Sequence, residues 1–201
     1  PVIVDVASEF RYSERMIDDK TLVIIISQSG ETADTLAALR EAKTKGATIL
    51  SVTNVVGSSI ARESDNVFYT WAGPEIAVAS TKGYTTQVTA LYMIALKFGE
   101  ILGTICSDEI KKIIAGFKEL PSKIELLLKD TEVYKRIALE LKDKTTCFYL
   151  GRGLDYYTAM ESALKLKEIS YIYTESFAAG ELKHGTIALI EDETPVFVIA
   201  T

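Results

Sequence analysis

The sequence predicts an α/β fold in which helices flank a parallel β-sheet. Apolar runs of strand length alternate with longer segments of helical periodicity, an order typical of right-handed βαβ units. Residues 22–26 are apolar at every position, as in strands of a parallel sheet that is covered on both faces. Hydrophobic residues make up 48% and charged residues 25% of the 201 positions, which indicates a globular chain with an ample core.

The first half of the chain supplies most of the predicted sheet. Its predicted strands cover residues 2–6, 21–27, 47–53 and 66–70, the last at a sheet edge, and a turn or helix start lies at 8–12. Its predicted helices cover residues 31–45, closed by Gly46, a short segment from a cap at Ser58 or Ser59 to Glu63, and residues 80–102. The long helix has an apolar face formed by Val88, Leu91, Tyr92, Ala95, Leu96, Gly99 and Leu102.

The second half starts with a mostly helical stretch and then returns to strand–helix alternation. Residues 108–143 are predicted as helix with a break at Pro121, because proline disrupts helix interiors. A strand over residues 145–150, a turn over 151–153, a helix over 155–170 and a buried strand over 195–200 follow. We therefore expect a first lobe over residues 1–104, a helical connection over 105–143 and the start of a second lobe over 144–201.

Composition excludes several functional classes. A net charge of -6 with a pI of about 5.0, without an offsetting basic cluster, argues against a nucleic-acid partner. Cys106 and Cys147 lack metal or redox spacing and fit free thiols in a reducing cytosol. A single histidine without a cysteine pair predicts no typical zinc site. No run has the length of a membrane span and no signal peptide is visible, so we expect a cytoplasmic protein without a membrane partner.

The segment Ser27-Gln28-Ser29-Gly30-Glu31-Thr32 lies between an apolar strand and a helix. This order places backbone N–H groups and hydroxyl donors at a helix N-terminus, which attracts phosphate. The turn has no lysine and no Gly-x-x-x-x-Gly-Lys, so it is not a nucleotide P-loop. The alternative is a simple helix cap without a ligand, with Ser29 as the N-cap residue.

The predicted helix over residues 155–170 has charged residues on one face. Glu161, Lys165 and Glu168 are spaced i, i+4, i+7 and fall within about 60° of one another around the helix. They are either a functional cluster or a solvated face with an ordinary Glu–Lys pair. His184 lies in a polar loop between Gly180 and Gly185, which suits proton transfer near neutral pH; a surface histidine without a role is the alternative.

Several segments together carry a resemblance to a known family. They are residues 7–12, 27–35, 78–82, 150–153, 163–171 and 180–185. In this order and along essentially the whole chain, they resemble the isomerase domain of the glucosamine-6-phosphate synthases, the glutamine–fructose-6-phosphate aminotransferases, within the wider sugar isomerase (SIS) class.

The resemblance implies an SIS fold, a flavodoxin-like three-layer arrangement. The first lobe would be nearly complete but lack its first strand and a Gly-Thr-Ser-type sugar-binding turn, and the second lobe would be partial. Family members also have an N-terminal glutaminase domain and a C-terminal tail that supplies a lysine. Ammonia from glutamine aminates fructose 6-phosphate, which is isomerised to glucosamine 6-phosphate. We expect the chain alone to be inactive.

The resemblance also implies roles for individual residues. Phosphate would bind at Ser27, Gln28, Ser29 and Thr32, and the sugar would lie at Val78 and Ser80. Glu168 would move a proton between C1 and C2, with Glu161 and Lys165 lining the same site. His184 would assist ring opening across the interface of a homodimer, in which the helix over residues 80–102 is largely buried. No metal or redox cofactor is expected, because this isomerisation needs only a base and a ring-opening group.

Two other functions share part of this pattern. A sugar-phosphate sensor would use the turn at Ser27–Thr32 for binding but would not need Glu168 or His184, and it would usually carry a DNA-binding segment. A related deaminase or isomerase of amino sugar phosphates is compatible with residues 180–185, whereas residues 7–12 favour the synthase family.

Overall fold

All strand pairings in the computed structural model, which describes residues 1–201, are parallel. The chain divides into two units, residues 1–114 and 115–201. The helices are α1 Ala7–Phe10, α2 Ala33–Thr44, α3 Ser59–Glu63, α4 Lys82–Ile101, α5 Ser107–Leu127, α6 Glu132–Leu141 and α7 Leu154–Ser170. The strands are β1 Leu22–Ser27, β2 Thr48–Thr53, β3 Asn66–Tyr69, β4 Thr146–Gly151, β5 Tyr173–Ala178 and β6 Val196–Val198, and a 3-10 helix covers Thr186–Leu189.

The sheet of the first unit has the strand order β1-β2-β3. Ser27 at the end of β1 lies opposite Thr53 at the end of β2, and Thr53 lies opposite Tyr69 at the end of β3. The segments that follow these strands therefore start at the same edge of the sheet. In open α/β sheets this carboxyl edge is where ligands bind.

Helices cover both faces of this sheet. Ile25 and Ile49 pack with Leu39 of α2 and Ile60 of α3. Val52 points to the opposite face, because side chains alternate along a strand, and packs against Ala90 and Ile94 of α4. The predicted three-layer α/β arrangement is confirmed.

The second unit has a sheet with the order β5-β4-β6, so β4 is central. Helix α7 packs against β4 and β5. Cys147 of β4 is fully buried beside Leu141 and Ile172, and burial raises the pKa of its thiol to about 11. The second cysteine, Cys106, is exposed, and both thiols are free, as predicted.

The predicted buried strand at residues 2–6 is wrong. This segment pairs with no strand, and Val2 and Val4 are 93% and 92% exposed. An apolar run becomes a strand only where a neighbouring strand satisfies its backbone groups. Strand β1 lies at an edge of the sheet and is less buried than its apolar run predicts, since Leu22 and Ile26 are each 42% exposed.

The predicted helix break at Pro121 is wrong as well. Helix α5 runs through Pro121, and the break falls between Leu127 and Glu132, where the Asp130 carboxylate accepts the Glu132 N–H at 3.1 Å. A proline removes one helical hydrogen bond, whereas an Asp side chain that binds the backbone offers the chain a competing turn.

The apolar face of α4 was predicted only in part. Leu96 and Gly99 are buried as expected, but the face that meets the sheet is centred on Ala90 and Ile94, while Ala95 and Leu102 are exposed. Strand β5 and the 3-10 helix were not predicted, because polar residues interrupt the hydrophobic pattern of β5. None of the helices combines the length and the apolar character needed to span a membrane.

Candidate functional site

The turn between β1 and α2 holds its hydroxyl groups in fixed positions. Ser27 is buried; its Oγ accepts the Gly30 N–H at 3.1 Å and lies 3.1 Å from Thr32 Oγ1. Ser29 Oγ accepts the Glu31 N–H at 3.2 Å. Because the serine oxygens accept bonds from the backbone, the Ser29 hydrogen and one hydrogen of the Ser27–Thr32 pair remain available to an anion.

The N-terminus of α2 is not capped by a side chain. Thr32 is the N-cap residue, and it makes no side-chain cap hydrogen bond. The alternative in which Ser29 is the N-cap is wrong, since the N-cap residue is Thr32 and the helix starts at Ala33. The first N–H groups of the helix therefore keep their donor capacity and partial positive charge. The acidic residue of this first turn, Asp34, is paired with Arg11 at 3.4 Å.

Helix α3 fixes the same turn from the other side. The Ile60 N–H donates to the Gly30 carbonyl at 3.0 Å, and the Ser59 N–H donates to the Glu31 carboxylate at 2.7 Å. Hydrogen bonds from the Ser59 side chain and backbone lower the pKa of Glu31. Gly30 has φ +66°, and a Cβ at this position would lie 2.0 Å from Ser58 Oγ. Only glycine fits here.

A cleft of about 480 Å³ opens at the carboxyl edge of the first sheet. Its lining residues are Gln28, Asn54, Val55, Trp71, Gly73, Pro74 and Glu75. Asn54 fixes the far wall, because its Nδ2 donates to the Gly73 carbonyl at 2.7 Å and its Oδ1 accepts the Ala72 N–H at 2.8 Å. This volume lies within the range of small-molecule sites.

The start of α4 brings further polar groups to the cleft. Glu75 Oε2 accepts the Gly83 N–H at 2.9 Å and the Ser80 hydroxyl at 3.2 Å. These hydrogen bonds lower the pKa of Glu75, and the bond from the Gly83 N–H has the largest effect. A Cβ at Gly83 would lie 2.5 Å from Ser80 Oγ and 3.3 Å from Gln28 Cγ, so two predicted site residues converge there. Val78 is 98% exposed, and its carbonyl accepts the Ser80 N–H at 2.9 Å.

The charged face of α7 forms an ion cluster in the second unit. Lys165 Nζ lies 2.5 Å from Glu168 Oε2 and 3.7 Å from Glu161 Oε1. The hydrogen bond to Glu168, together with the charges of both glutamates, raises the pKa of Lys165, so its ammonium stays protonated at neutral pH. The bond to Lys165 uses Oε2 of the exposed Glu168 carboxylate, which leaves Oε1 open to a ligand.

His184 is exposed and does not join this cluster through a hydrogen bond or ion pair. Strand β5 ends at Ala178 beside Gly151, and two turns follow, in which the Glu181 N–H donates to Ala178 and the His184 N–H donates to Glu181. His184 therefore stays near the carboxyl edge of this sheet. Helix α7 starts at Leu154, shortly after β4 ends at this same edge of the sheet. Glu168 lies about 21 Å farther along the helix axis than Leu154.

Sequence reasoning missed Asn54, Glu75 and Gly83. Asn54 directly follows β2, and a polar residue at the end of a buried parallel strand is a usable signal for a site. Glu75 and Gly83 flank Ser80, but only the folded backbone shows that they bind each other.

The family model for the SIS domain matches residues 1–97 and 140–201. The chain therefore belongs to the SIS domain family, and its fold has the parallel sheets and flanking helices expected of it.

Relatives within this family are similar along the whole chain. The chain is 58% identical over 201 residues to the glutamine–fructose-6-phosphate aminotransferase [isomerizing] of Caldanaerobacter subterraneus and 59% identical to that of Clostridium tetani. The chain spans only 33% of the length of each of these relatives.

Solved structures of similar fold include an aminotransferase domain and a deaminase. The C-terminal domain of glucosamine-fructose-6-phosphate aminotransferase from Francisella tularensis has a TM-score of 0.96 and 42% identity, and the match covers 100% of this chain and 57% of that one. The glucosamine-6-phosphate deaminase of Thermotoga maritima has a TM-score of 0.74 at 22% identity, covering 96% and 56% of the two chains, and shows the fold alone.

A substitution at Gly30 tests whether close packing against Ser58 holds the turn between β1 and α2 in place. Gly30→Ala is expected to lower the free energy of unfolding by about 1–3 kcal/mol more than Gly57→Ala, because its Cβ would overlap Ser58. Gly57 is the matched control, since it also has a positive φ, +72°, but a Cβ there would meet nothing within 4 Å. Urea unfolding of the two variants measures the difference; equal losses would contradict the packing argument.

Proposed function

We propose that this chain is the isomerase part of a longer glutamine–fructose-6-phosphate aminotransferase. In this reaction, ammonia from a glutaminase domain condenses with the C2 carbonyl of fructose 6-phosphate and water leaves, and proton transfer from C1 to C2 then gives glucosamine 6-phosphate. The names of the relatives support the substrate, and we place the enzyme in the cytoplasm. The activity belongs to the full-length protein.

The uncapped N-terminus of α2 is the observation that carries this proposal. It lies beside two available hydroxyl hydrogens of the Ser27–Thr32 turn and beside Gln28, at the edge of a cleft large enough for a hexose phosphate. A phosphate there meets backbone donors, hydroxyl donors and the positive end of the helix dipole together. Ser80 and Val78 remain proposed sugar contacts.

Removing two of the phosphate donors tests the binding site. Ser29→Ala combined with Thr32→Ala is expected to weaken fructose 6-phosphate binding by about 1–3 kcal/mol, the range for hydrogen bonds to a charged group. Calorimetry of the full-length protein measures this. Thr44→Ala, at the opposite end of α2, is the control and should leave affinity unchanged. Unchanged affinity in the double variant would place the phosphate elsewhere.

Glu168 is the proposed base for proton transfer. Lys165 holds its Oε2, while Oε1 is free to take a proton from C1 and return it at C2. Glu161 shares the lysine and helps to keep the ammonium in place. A carboxylate on a rigid helix fits this role, because the base must keep its position between two adjacent carbons.

Glu168→Gln keeps the shape of the side chain and removes the base. In the full-length enzyme it is expected to lower the isomerisation rate by a factor on the order of 10²–10⁴, with little change in sugar-phosphate affinity. Glu191→Gln, at an exposed carboxylate of the second unit, is the control. Near-normal turnover of the Glu168 variant would remove Glu168 as the base and assign proton transfer to another group of the enzyme.

We propose that the full-length protein is a homodimer and that His184 acts in the site of a second copy. Within one chain, His184 follows the carboxyl edge of the second sheet, whereas Glu168 lies in the last turn of α7. This separation supports a contribution from a second chain. The exposed apolar side chains of α4 at Met93, Phe98 and Ile101 provide surface for such an interface.

Sedimentation of the full-length protein tests this assembly. We expect a stable dimer at micromolar concentration, because burying the apolar side chains of α4 removes nonpolar surface from water. Phe98→Glu should shift the equilibrium toward monomer, and Lys97→Glu, at the neighbouring exposed position, is the charge control. A wild-type monomer would contradict both the dimer and the shared role of His184.

A further inference from the structure

We propose that Glu75 is a positioning residue that fixes the hydrogen of the Ser80 hydroxyl, so that Ser80 meets the substrate as a hydrogen-bond acceptor. The inference rests on the proposed function in one respect: the ligand of the cleft is a sugar phosphate. It adds a residue and a direction of hydrogen bonding that decide which end of the ligand Ser80 contacts.

The direction of the bond follows from the chemistry of the two groups. An ionised carboxylate only accepts hydrogen bonds, so the bond of 3.2 Å between Ser80 Oγ and Glu75 Oε2 uses the serine hydrogen. Ser80 then keeps only lone pairs for a ligand. A sugar hydroxyl can donate to them, whereas an ionised phosphate oxygen cannot.

The serines of the phosphate turn have the opposite polarity. Ser29 Oγ accepts a backbone N–H, as does Ser27 Oγ, so hydroxyl hydrogens remain for donation there. The turn at Ser27–Thr32, whose Gln28 lines the cleft, thus offers donors, and Ser80, whose partner Glu75 lines the same cleft, offers an acceptor. This polarity favours a ligand whose anionic group lies at the turn and whose hydroxyl-bearing carbon chain lies at Ser80.

The position of Glu75 is itself fixed. The same oxygen, Oε2, accepts the Gly83 N–H at 2.9 Å in the first turn of α4. A Cβ at Gly83 would lie 3.1 Å from this oxygen and 2.5 Å from Ser80 Oγ, so a side chain at position 83 would displace the bonded groups. Glu75 also lines the cleft, so its hydrogen bond with Ser80 lies at a wall that a ligand in the cleft would meet.

Binding of fructose 6-phosphate and of inorganic phosphate to the full-length protein tests the proposal. Calorimetry compares wild type with Ser80→Ala, Glu75→Leu, Glu75→Gln and the double variant of Ser80→Ala with Glu75→Leu. We expect each of the first two changes to weaken fructose 6-phosphate binding about 10-fold, and the double variant to be about 10-fold weaker rather than about 100-fold. Glu75→Gln keeps an acceptor oxygen and should lose about 3-fold.

Inorganic phosphate provides the internal control. Its affinity should stay within about 2-fold of wild type in every variant, because its donors lie in the turn at Ser27–Thr32. If Glu75→Leu also loses phosphate binding, the cleft has lost its fold, and Glu75→Gln is then compared in a second double variant with Ser80→Ala. The 3-fold effect of Glu75→Gln must vanish when Ser80 is alanine.

The outcomes separate this inference from the proposed function. A wild-type protein that binds phosphate but not fructose 6-phosphate would refute the proposed function itself. A wild type that binds the sugar phosphate, with independent and multiplicative effects of the Glu75 and Ser80 changes, would overturn only the positioning role of Glu75.

Discussion

The parallel register of the first sheet is the constraint on which the candidate cleft depends. Ser27, Thr53 and Tyr69 lie side by side at the ends of neighbouring strands, so the turns that follow them begin together. A shift of the pairing by one residue would turn Ile25 away from the core formed with α2. Burial of these apolar side chains thus fixes the strand register, and the register in turn brings the residues that follow the three strands, among them Gln28, Asn54 and Trp71, around one cleft.

The first βαβ unit could be predicted from the sequence, because its local hydrophobic pattern and turn residues agree with how the unit packs in the structure. Strand β1, helix α2 and strand β2 have apolar periodicity and suitable turn residues, and the structure contains each of them near the predicted bounds. The errors lie where a local signal needs a neighbour. Residues 2–6 have the composition of a strand but no strand to pair with. The apolar residues of α4 could form more than one face, and the face that packs against the sheet is the one with Ala90 and Ile94.

The candidate site shows the same limit. Ser27, Ser29 and Thr32 were found because they are contiguous in one turn, and the Glu161–Lys165–Glu168 cluster because helical spacing places the three on one face. Glu75 and Asn54 were not predicted as site residues, because their roles depend on backbone groups that tertiary folding brings to them. Spacing also could not show that no hydrogen bond or ion pair joins His184 to the cluster on α7.

The contrast between the two cysteines gives the second unit a built-in probe of its own motions. Cys147 is fully buried on the central strand, and its thiol, with a pKa raised to about 11, has almost no reactive thiolate at neutral pH even apart from its lack of access. A thiol reagent therefore modifies exposed Cys106 first, and Cys147 only when the sheet around it opens. The rate of the slow phase of modification therefore reports the rate of local unfolding of this unit. Mass spectrometry can measure it without an engineered label.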